Sequence, residues 1–295
     1  MKKGFVVSLV LVSFAAKAQN DTLPVLKDSV HQVFDSLAFT VPHVPVAHPS
    51  KVYTIKPAID IPLTVAGTAW SLFAFSKIYS KDTSSVAQIL ALDKNKIGAF
   101  NRKGVSHYSP RAFDASNMLF YGSMPLPLFL MLDKHIRKDA GRVAMMYMES
   151  ISITGMLYTG AVYFRDKYRP YAYNPEVDMS RRVRGGAKNS FFAGHVALVG
   201  TSTFFIAKVF SDYHPESKIK WVFYSLAGLA TGATGYLRYA AGEHFPTDVL
   251  IGVGIGTLSG ILVPHFHKNK QATEQRLSLQ PYYGREKGIA ATWHF

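Results

Sequence analysis

The stretch RYAAGEHFPTDVLIG, residues 238–252, sets charged and titratable side chains where a long apolar helix begins. Pro246 suits the first helical position, because its missing N–H costs no hydrogen bond there. Asp248 falls in the first turn, where the helix dipole favours a carboxylate. His244 stands just before the helix and within reach of Asp248. The stretch therefore predicts both a helix start and a candidate site.

Outward from this stretch, apolar segments of helical length recur, and the segments between them carry the charge. Each is long enough to cross a membrane or to form a fully buried core helix. Small residues in GVGIGTLSG, 252–260, permit close approach of helices. The predicted helices cover roughly 59–77, 114–133, 141–166, 194–211, 219–241 and 247–265. The predicted fold is an all-α bundle of about six core helices.

The two ends of the chain differ from this middle region, 57–267. MKKGFVVSLVLVSFAAKAQN reads as a secretory signal peptide over 1–18, and an uncleaved anchor is the alternative. Residues 19–56 contain VPHVPVAHP and predict a Pro-rich arm. Alternation of apolar and polar residues over 268–295 predicts a short C-terminal β-hairpin.

The amino-acid composition restricts the classes of binding partner that the protein is expected to have. Hydrophobic residues make up 48% and charged residues 18%, which indicates membrane contact or a thick helical core. The net charge of +14 suits anionic partners, namely phosphates, acidic lipids or nucleic acid. No nucleic-acid-binding motif is found, so the first two are favoured. The chain has no cysteine and hence no disulfide, thiolate metal site or lipidated N-terminal cysteine.

A basic segment, FRDKYRPYAY, ends the third predicted helix. Arg165 and Arg169 are four residues apart, which predicts that they share one helical face, with the helix ending at Pro170. A solvated basic surface is the alternative for such charges.

The segment RRVRGGAKNSFFAGHVALVG leads into the fourth predicted helix. Gly194 and His195 open that helix, and its first backbone N–H groups are free to bind an anion. A helix N-terminus, several arginines and two histidines are together the parts of a phosphate site.

In this order the three stretches resemble the motifs of the type 2 phosphatidic acid phosphatase and vanadium haloperoxidase superfamily. The first motif, Lys, six residues and Arg-Pro, ends here at Arg169 and the following proline. The second, Pro-Ser-Gly-His, matches in its Gly-His at 194–195. The third matches, apart from its leading Ser, in Arg238, His244 and Asp248. The resemblance covers roughly the predicted helical domain.

Two phosphate donors of the family are absent. Val162 stands where the family has Lys, and Ala193 where it has Ser. Arg165 is the predicted substitute for the Lys, because it is expected on the face of Arg169, whereas Lys167 is expected to face elsewhere. A weakened site that binds phosphate without turnover is the alternative.

The resemblance implies a mechanism with three catalytic residues. His244 attacks phosphorus and forms a phosphohistidine, and Asp248 orients His244 and stabilises its positive charge. His195 protonates the leaving alkoxide and then activates water.

The resemblance also implies how the phosphate is bound. Arg169 and Arg238, with Arg165, clamp the phosphate oxygens, and Gly194 lets a backbone amide approach them. No metal and no cofactor are expected.

Three functions stay open. The first is a phosphatase acting on a lipid-linked phosphate such as phosphatidic acid, a polyprenyl diphosphate or lipid A. The second is a soluble-type acid phosphatase or haloperoxidase relative. The third is a non-catalytic phosphate-binding envelope protein.

The expected location is an exported, membrane-associated protein with its site facing the periplasm, with the inner membrane favoured over the outer. One conflict accompanies this expectation. If the signal peptide is cleaved and the first three helices all span, the end of the third helix carrying Arg169 reaches the cytoplasm, and loop charges do not decide the matter.

Overall fold

Long apolar helices form where the sequence predicts them. The computed structural model describes residues 51–269, 277–283 and 287–293. The predicted signal peptide, nearly all of the predicted Pro-rich arm and the turn of the predicted hairpin lie outside these residues. The helices in the described part are α1 (Pro57–Tyr79), α2 (Val86–Leu90), α3 (Ala99–Arg102), α4 (Pro110–Ser123), α5 (Lys134–Arg137), α6 (Ala140–Phe164), α7 (Met179–Arg182), α8 (Gly194–Tyr213), α9 (Lys220–Ala240) and α10 (Pro246–His267).

Short 3₁₀ turns connect several of these helices. They cover Lys94–Lys96, Lys103–Ser106, Leu126–Leu132, Pro170–Tyr173 and Gly185–Lys188. Residues Val52–Lys268, which include every helix given above, form one compact unit. A second unit contains β1 (Leu277–Tyr283) and β2 (Lys287–Trp293), which pair antiparallel with Leu277 opposite Trp293.

Helix α8 is the central helix of the bundle and packs on α4, α6, α9 and α10. Its contact with α10 is close because Gly252, Gly256 and Gly260 face it. A Cβ atom at Gly252 would lie 2.6 Å from the Ala193 carbonyl oxygen, and the other two glycines meet α8 backbone in the same way. The small-residue spacing thus brings the two helices together, as the sequence predicts.

Two helices end earlier than predicted. The predicted helix over 114–133 is split into α4 and the 3₁₀ turn Leu126–Leu132, because Pro125 and Pro127 cannot donate helical hydrogen bonds. The helix predicted to run to Pro170 ends instead at Phe164.

The long helices run between two ends of the bundle. At one end, Thr54 N donates to the His267 carbonyl at 2.8 Å, so the start of α1 lies beside the end of α10. At the other end, Lys81, just after α1, donates to the Val162 carbonyl at the end of α6. The starts of α8 and α10 lie at this second end, where the Ala193 amide donates to the Asp248 carbonyl.

Apolar side chains cover much of the outer surface of the bundle. Among the described residues, four helical stretches are long and apolar enough to cross a membrane: Pro57–Tyr79, Pro110–Leu132, Gly194–Tyr213 and Pro246–His267. Large side chains such as Leu72 on α1 and Leu229 on α9 are more than two-thirds exposed. These are the features of a membrane-associated protein.

Candidate active site

An extended segment after α6 builds one wall of the site. The backbone from Arg165 to Arg169 runs beside residues 187–190: Lys167 N donates to the Lys188 carbonyl at 2.9 Å, and Arg169 N donates to the Ala187 carbonyl at 2.7 Å. These bonds replace helical ones, which is why the helix does not continue to Pro170.

His244 is buried beside this wall, with 1% of its surface exposed. Its Nδ1 lies 2.7 Å from the Ser190 carbonyl oxygen. Because a carbonyl can only accept a hydrogen bond, Nδ1 carries the proton, and the lone pair of a neutral imidazole is then on Nε2. Burial, followed by the charges of Arg169 and Arg238, holds the pKa of His244 well below its usual value. The site therefore contains a neutral imidazole with a free nucleophilic nitrogen.

Asp248 reaches His244 through Ser190. The carboxylate of Asp248 accepts from Ser190 Oγ at 2.7 Å, from Lys167 Nζ at 2.5 Å and from the Phe245 amide at 3.2 Å. The prediction that Asp248 contacts the His244 ring directly is therefore wrong: in the described part of the chain, Ser190 lies between them. The extended backbone after α6 brings Lys167 to the carboxylate, so the prediction that Lys167 faces elsewhere is wrong as well.

Arg238 supplies a buried positive charge. It is 2% exposed, its Nη1 lies 3.3 Å from Ser116 Oγ, and its guanidinium stacks 5.1 Å from the centre of the Phe113 ring. Its Nε makes no hydrogen bond to any residue that the structure describes. A buried guanidinium with an unused donor favours an anion, and its charge acts on His244.

Arg169 is already partly paired. Its Nε donates to the Gly186 carbonyl at 3.1 Å, and its guanidinium forms an ion pair with Glu243. Glu243 also accepts from Arg181 at 2.7 Å. Glu243 thus holds two arginines at the rim of the site, and no sequence motif marks it.

Arg165 does not join the other site residues. It follows the last residue of α6 in an extended conformation, it is exposed, and its guanidinium lies 5.7 Å from the centre of the Phe191 ring. The predicted shared helical face with Arg169 is wrong because no helix connects them. Val162 is fully buried against apolar neighbours that include Ile78 and Phe192.

His195 and Gly194 open α8, as predicted. A Cβ atom at Gly194 would overlap the Tyr158 ring, so glycine is required for this packing. The His195 ring packs 4.3 Å from the Phe120 ring, centre to centre. His195 is close enough to His244 to lower the pKa of that residue as a third and smaller electrostatic cause.

A cavity of about 120 Å³ ends at His195. Its other walls are apolar or aromatic, and they include exposed residues on the outer surface of the bundle. The lining residues are Phe75, Tyr79, Phe120, Tyr121, Tyr158, Gly194, His195 and Leu198. A larger groove of about 790 Å³, formed by α9, α10 and the segment 99–103, is lined by neither histidine.

The family comparison agrees with the motifs. Residues 143–272 match the family model described as the PAP2 superfamily. Within this range the chain is similar to the superfamily, and the resemblance read from the sequence is confirmed, together with the enzyme class, a phosphatase. No curated protein gives a significant match.

Two solved structures are similar to this chain. The crystal structure of Aquifex aeolicus LpxE has 24% identity and a TM-score of 0.40, and the match covers 55% of this chain and 90% of that one. The first transmembrane PAP2-type phosphatidylglycerolphosphate phosphatase from Bacillus subtilis has 23% identity and a TM-score of 0.42, and the match covers 69% and 94%.

Proposed function

We propose that the protein is a phosphatase that hydrolyses a lipid-linked phosphate through a phosphohistidine on His244. The observation that carries this proposal is a buried histidine of fixed tautomer in the electrostatic field of a buried arginine. His244 is held with its Nε2 lone pair free, and Arg238 acts on it as a buried cation with an unused donor. Together they suit nucleophilic attack on a phosphorus atom whose oxygens are bound by arginine.

The first step forms a bond between His244 Nε2 and phosphorus while the bond from phosphorus to the lipid oxygen breaks. His195 donates a proton to the leaving alkoxide. The negative charge of the bound phosphate offsets the charges of Arg238 and Arg169, which favours a protonated His195 at this stage. Asp248, through Ser190, holds the imidazole as it becomes positively charged.

The second step releases the phosphate. His195, now neutral, removes a proton from water, and the water oxygen attacks phosphorus as the bond to His244 breaks. The products are the lipid alcohol and inorganic phosphate. Arg238, together with Arg169 and the first backbone amides of α8, binds the phosphate oxygens through both steps.

The cavity beside His195 supports a lipid substrate. Its aromatic walls reach the apolar outer surface, where Tyr79 and Tyr121 are more than 60% exposed. An acyl or prenyl chain lying there would extend from the phosphate towards the membrane. We propose an inner-membrane location with the site facing the periplasm.

Phosphate release from full-length protein in mixed micelles tests this function. Phosphatidic acid, a polyprenyl diphosphate and lipid A are compared with p-nitrophenyl phosphate. Burial of two methylene groups contributes about 1.6 kcal/mol, so we expect at least about a tenfold higher kcat/KM for one of the lipids.

Leu198→Trp provides a second arm, because residue 198 lines the cavity one turn after His195. The larger ring fills the cavity, and we expect turnover of the lipid to fall while turnover of the small ester is retained. Equal turnover of all substrates, with no effect of Leu198→Trp, contradicts the lipid assignment.

A further inference from the structure

Three side chains that the phosphate chemistry does not use converge at the opposite end of the bundle. Asp60 lies in the first turn of α1, Glu149 lies in α6, and His267 is the last residue of α10. His267 Nε2 is 3.1 Å from Asp60 Oδ2 and 3.4 Å from Glu149 Oε2. Less than a tenth of each side chain is exposed. The three residues are far apart in the chain, so no sequence motif marks the cluster.

The orientation of the His267 ring points its second nitrogen at the two carboxylates. Nδ1 lies 2.8 Å from the Val263 carbonyl, which can only accept, so Nδ1 carries a proton. In a neutral ring, the lone pair on Nε2 would then face two negatively charged groups. A metal cation between them, a second proton on the ring or a proton on a carboxyl group balances this arrangement, and burial raises the pKa of Glu149. A backbone carbonyl on the other nitrogen is also the usual support of a metal-binding histidine.

An unused donor atom favours the metal ion. Glu149 is 5% exposed, and its Oε2 makes no hydrogen bond to any of the residues described. The buried hydroxyl of Thr64, one turn after Asp60 on α1, is likewise without a partner in the described part of the chain. A buried carboxylate oxygen left in this state is costly, and a bound cation removes the cost.

The spacing of the three atoms fits a small divalent ion. Zinc binds nitrogen and carboxylate oxygen at about 2.0–2.2 Å in a tetrahedron, which sets its ligands roughly 3.3 Å apart. The two distances from His267 agree with this value, and the three ligand atoms all lie within 4.8 Å of one another. A histidine nitrogen with only two carboxylates is unlike the oxygen-rich sites of calcium and magnesium.

We propose that Asp60, Glu149 and His267 bind a divalent transition-metal ion, zinc in the first instance, with the Thr64 hydroxyl or a water as the fourth ligand. The site is structural. It joins the start of α1 to the end of α10, and it lies about 30 Å from the start of α10, given a rise of about 1.5 Å per residue. It is therefore separate from the phosphate chemistry.

Metal content of the full-length protein in detergent tests this site. The protein is stripped with a chelator, equilibrated with zinc, desalted and measured by mass spectrometry of the metal. We expect about one zinc per chain, and at least about a tenfold weaker affinity in Glu149→Gln and His267→Asn. His265→Ala, an exposed histidine in the same turn of α10, is the matched control and retains zinc.

A second group of potential ligands, Asp133, His135 and His214, requires its own control. His214→Ala retains zinc if the proposed site is correct. Zinc also raises the Tm of the wild type and of His265→Ala but not that of Glu149→Gln. If His267→Asn does not fold, Glu149→Gln alone tests the site, because glutamine keeps the shape of the glutamate side chain.

No zinc in the wild type, equal zinc in Glu149→Gln, or loss of zinc in His214→Ala overturns the proposal. His244→Ala is expected to keep its zinc whether or not it retains phosphatase activity. Failure of the metal site and failure of the proposed function are therefore distinguished.

Discussion

Ser190 binds His244 through its carbonyl at 2.7 Å, while its hydroxyl donates to Asp248 at the same distance. One residue thereby links the histidine to the carboxylate that the sequence motif pairs with it. The backbone bond fixes the tautomer of His244, and the hydroxyl bond anchors the segment that holds the ring to the Asp248 carboxylate.

Ser190→Ala removes the hydroxyl and leaves the carbonyl in place. We expect kcat to fall about tenfold to a hundredfold, equivalent to about 1.4–2.7 kcal/mol, with KM little changed, because positioning of His244 matters most in the transition state. Steady-state kinetics on the preferred lipid measure this. Ser150→Ala, whose hydroxyl bonds its own helix, is the control. A kcat for Ser190→Ala equal to that of the control would show that the hydroxyl has no positioning role.

Substitution of Arg238 is expected to lower kcat/KM far more than substitution of Arg165. Arg238→Lys keeps a charge but loses the forked donor, and we expect kcat/KM to fall roughly thirty- to a thousandfold, or about 2–4 kcal/mol. Arg165→Ala removes an exposed charge, and we expect a change below about threefold. The same kinetic assay measures both variants. Similar losses in the two variants would contradict the geometry of the site.

Removing the charge of Lys167 is expected to cost more stability than removing the charge of Asp248. Asp248 is fully buried and Lys167 is a quarter exposed. Lys167→Met leaves the buried Asp248 carboxylate without its charged partner and is expected to cost about 3–5 kcal/mol of unfolding free energy. Asp248→Asn leaves a lysine that can turn towards water, so it is expected to cost less stability. Denaturant unfolding of both variants and the double variant gives the coupling energy. A larger stability loss in Asp248→Asn than in Lys167→Met would contradict this prediction.

Much of the fold could be predicted because long apolar helices with small-residue faces leave a clear pattern. The starts of α8 and α10 could be read from Gly194 and Pro246, since helix starts have strong local signals. The end of α6 could not. It depends on backbone hydrogen bonds between Lys167 and residues 187–190, and the local sequence does not predict a contact with residues twenty positions away.

The site was predictable to a similar extent. Arg238 and His195 lie close enough to His244 to lower its pKa, and the roles that the motifs imply for these residues stay predictions. The supporting residues Ser190 and Glu243 were not predicted. Serine and glutamate are common on protein surfaces, and neither carries a pattern that separates a buried bridge from a solvated side chain.

The orientation in the membrane can be tested with single cysteines, because the natural chain has none. Glu176→Cys lies in the segment beside the site, and Lys218→Cys follows α8 at the opposite end. We expect a membrane-impermeant maleimide, given access to the periplasm, to label residue 176 in intact cells and residue 218 only after lysis. The opposite pattern would place the site in the cytoplasm, as a cleaved signal peptide and three spanning helices require. Recovery of the protein in the soluble fraction would contradict the membrane location itself.

Trapping of the covalent intermediate tests the central claim most directly. Full-length protein is mixed with a substrate carrying labelled phosphate, denatured within milliseconds under conditions that preserve phosphohistidine, digested and analysed by mass spectrometry. We predict phosphate on His244, absent from His244→Ala, which folds normally but loses turnover, and reduced in Arg238→Lys. Normal turnover by His244→Ala, or rapid wild-type turnover with the label on another residue, would contradict the account.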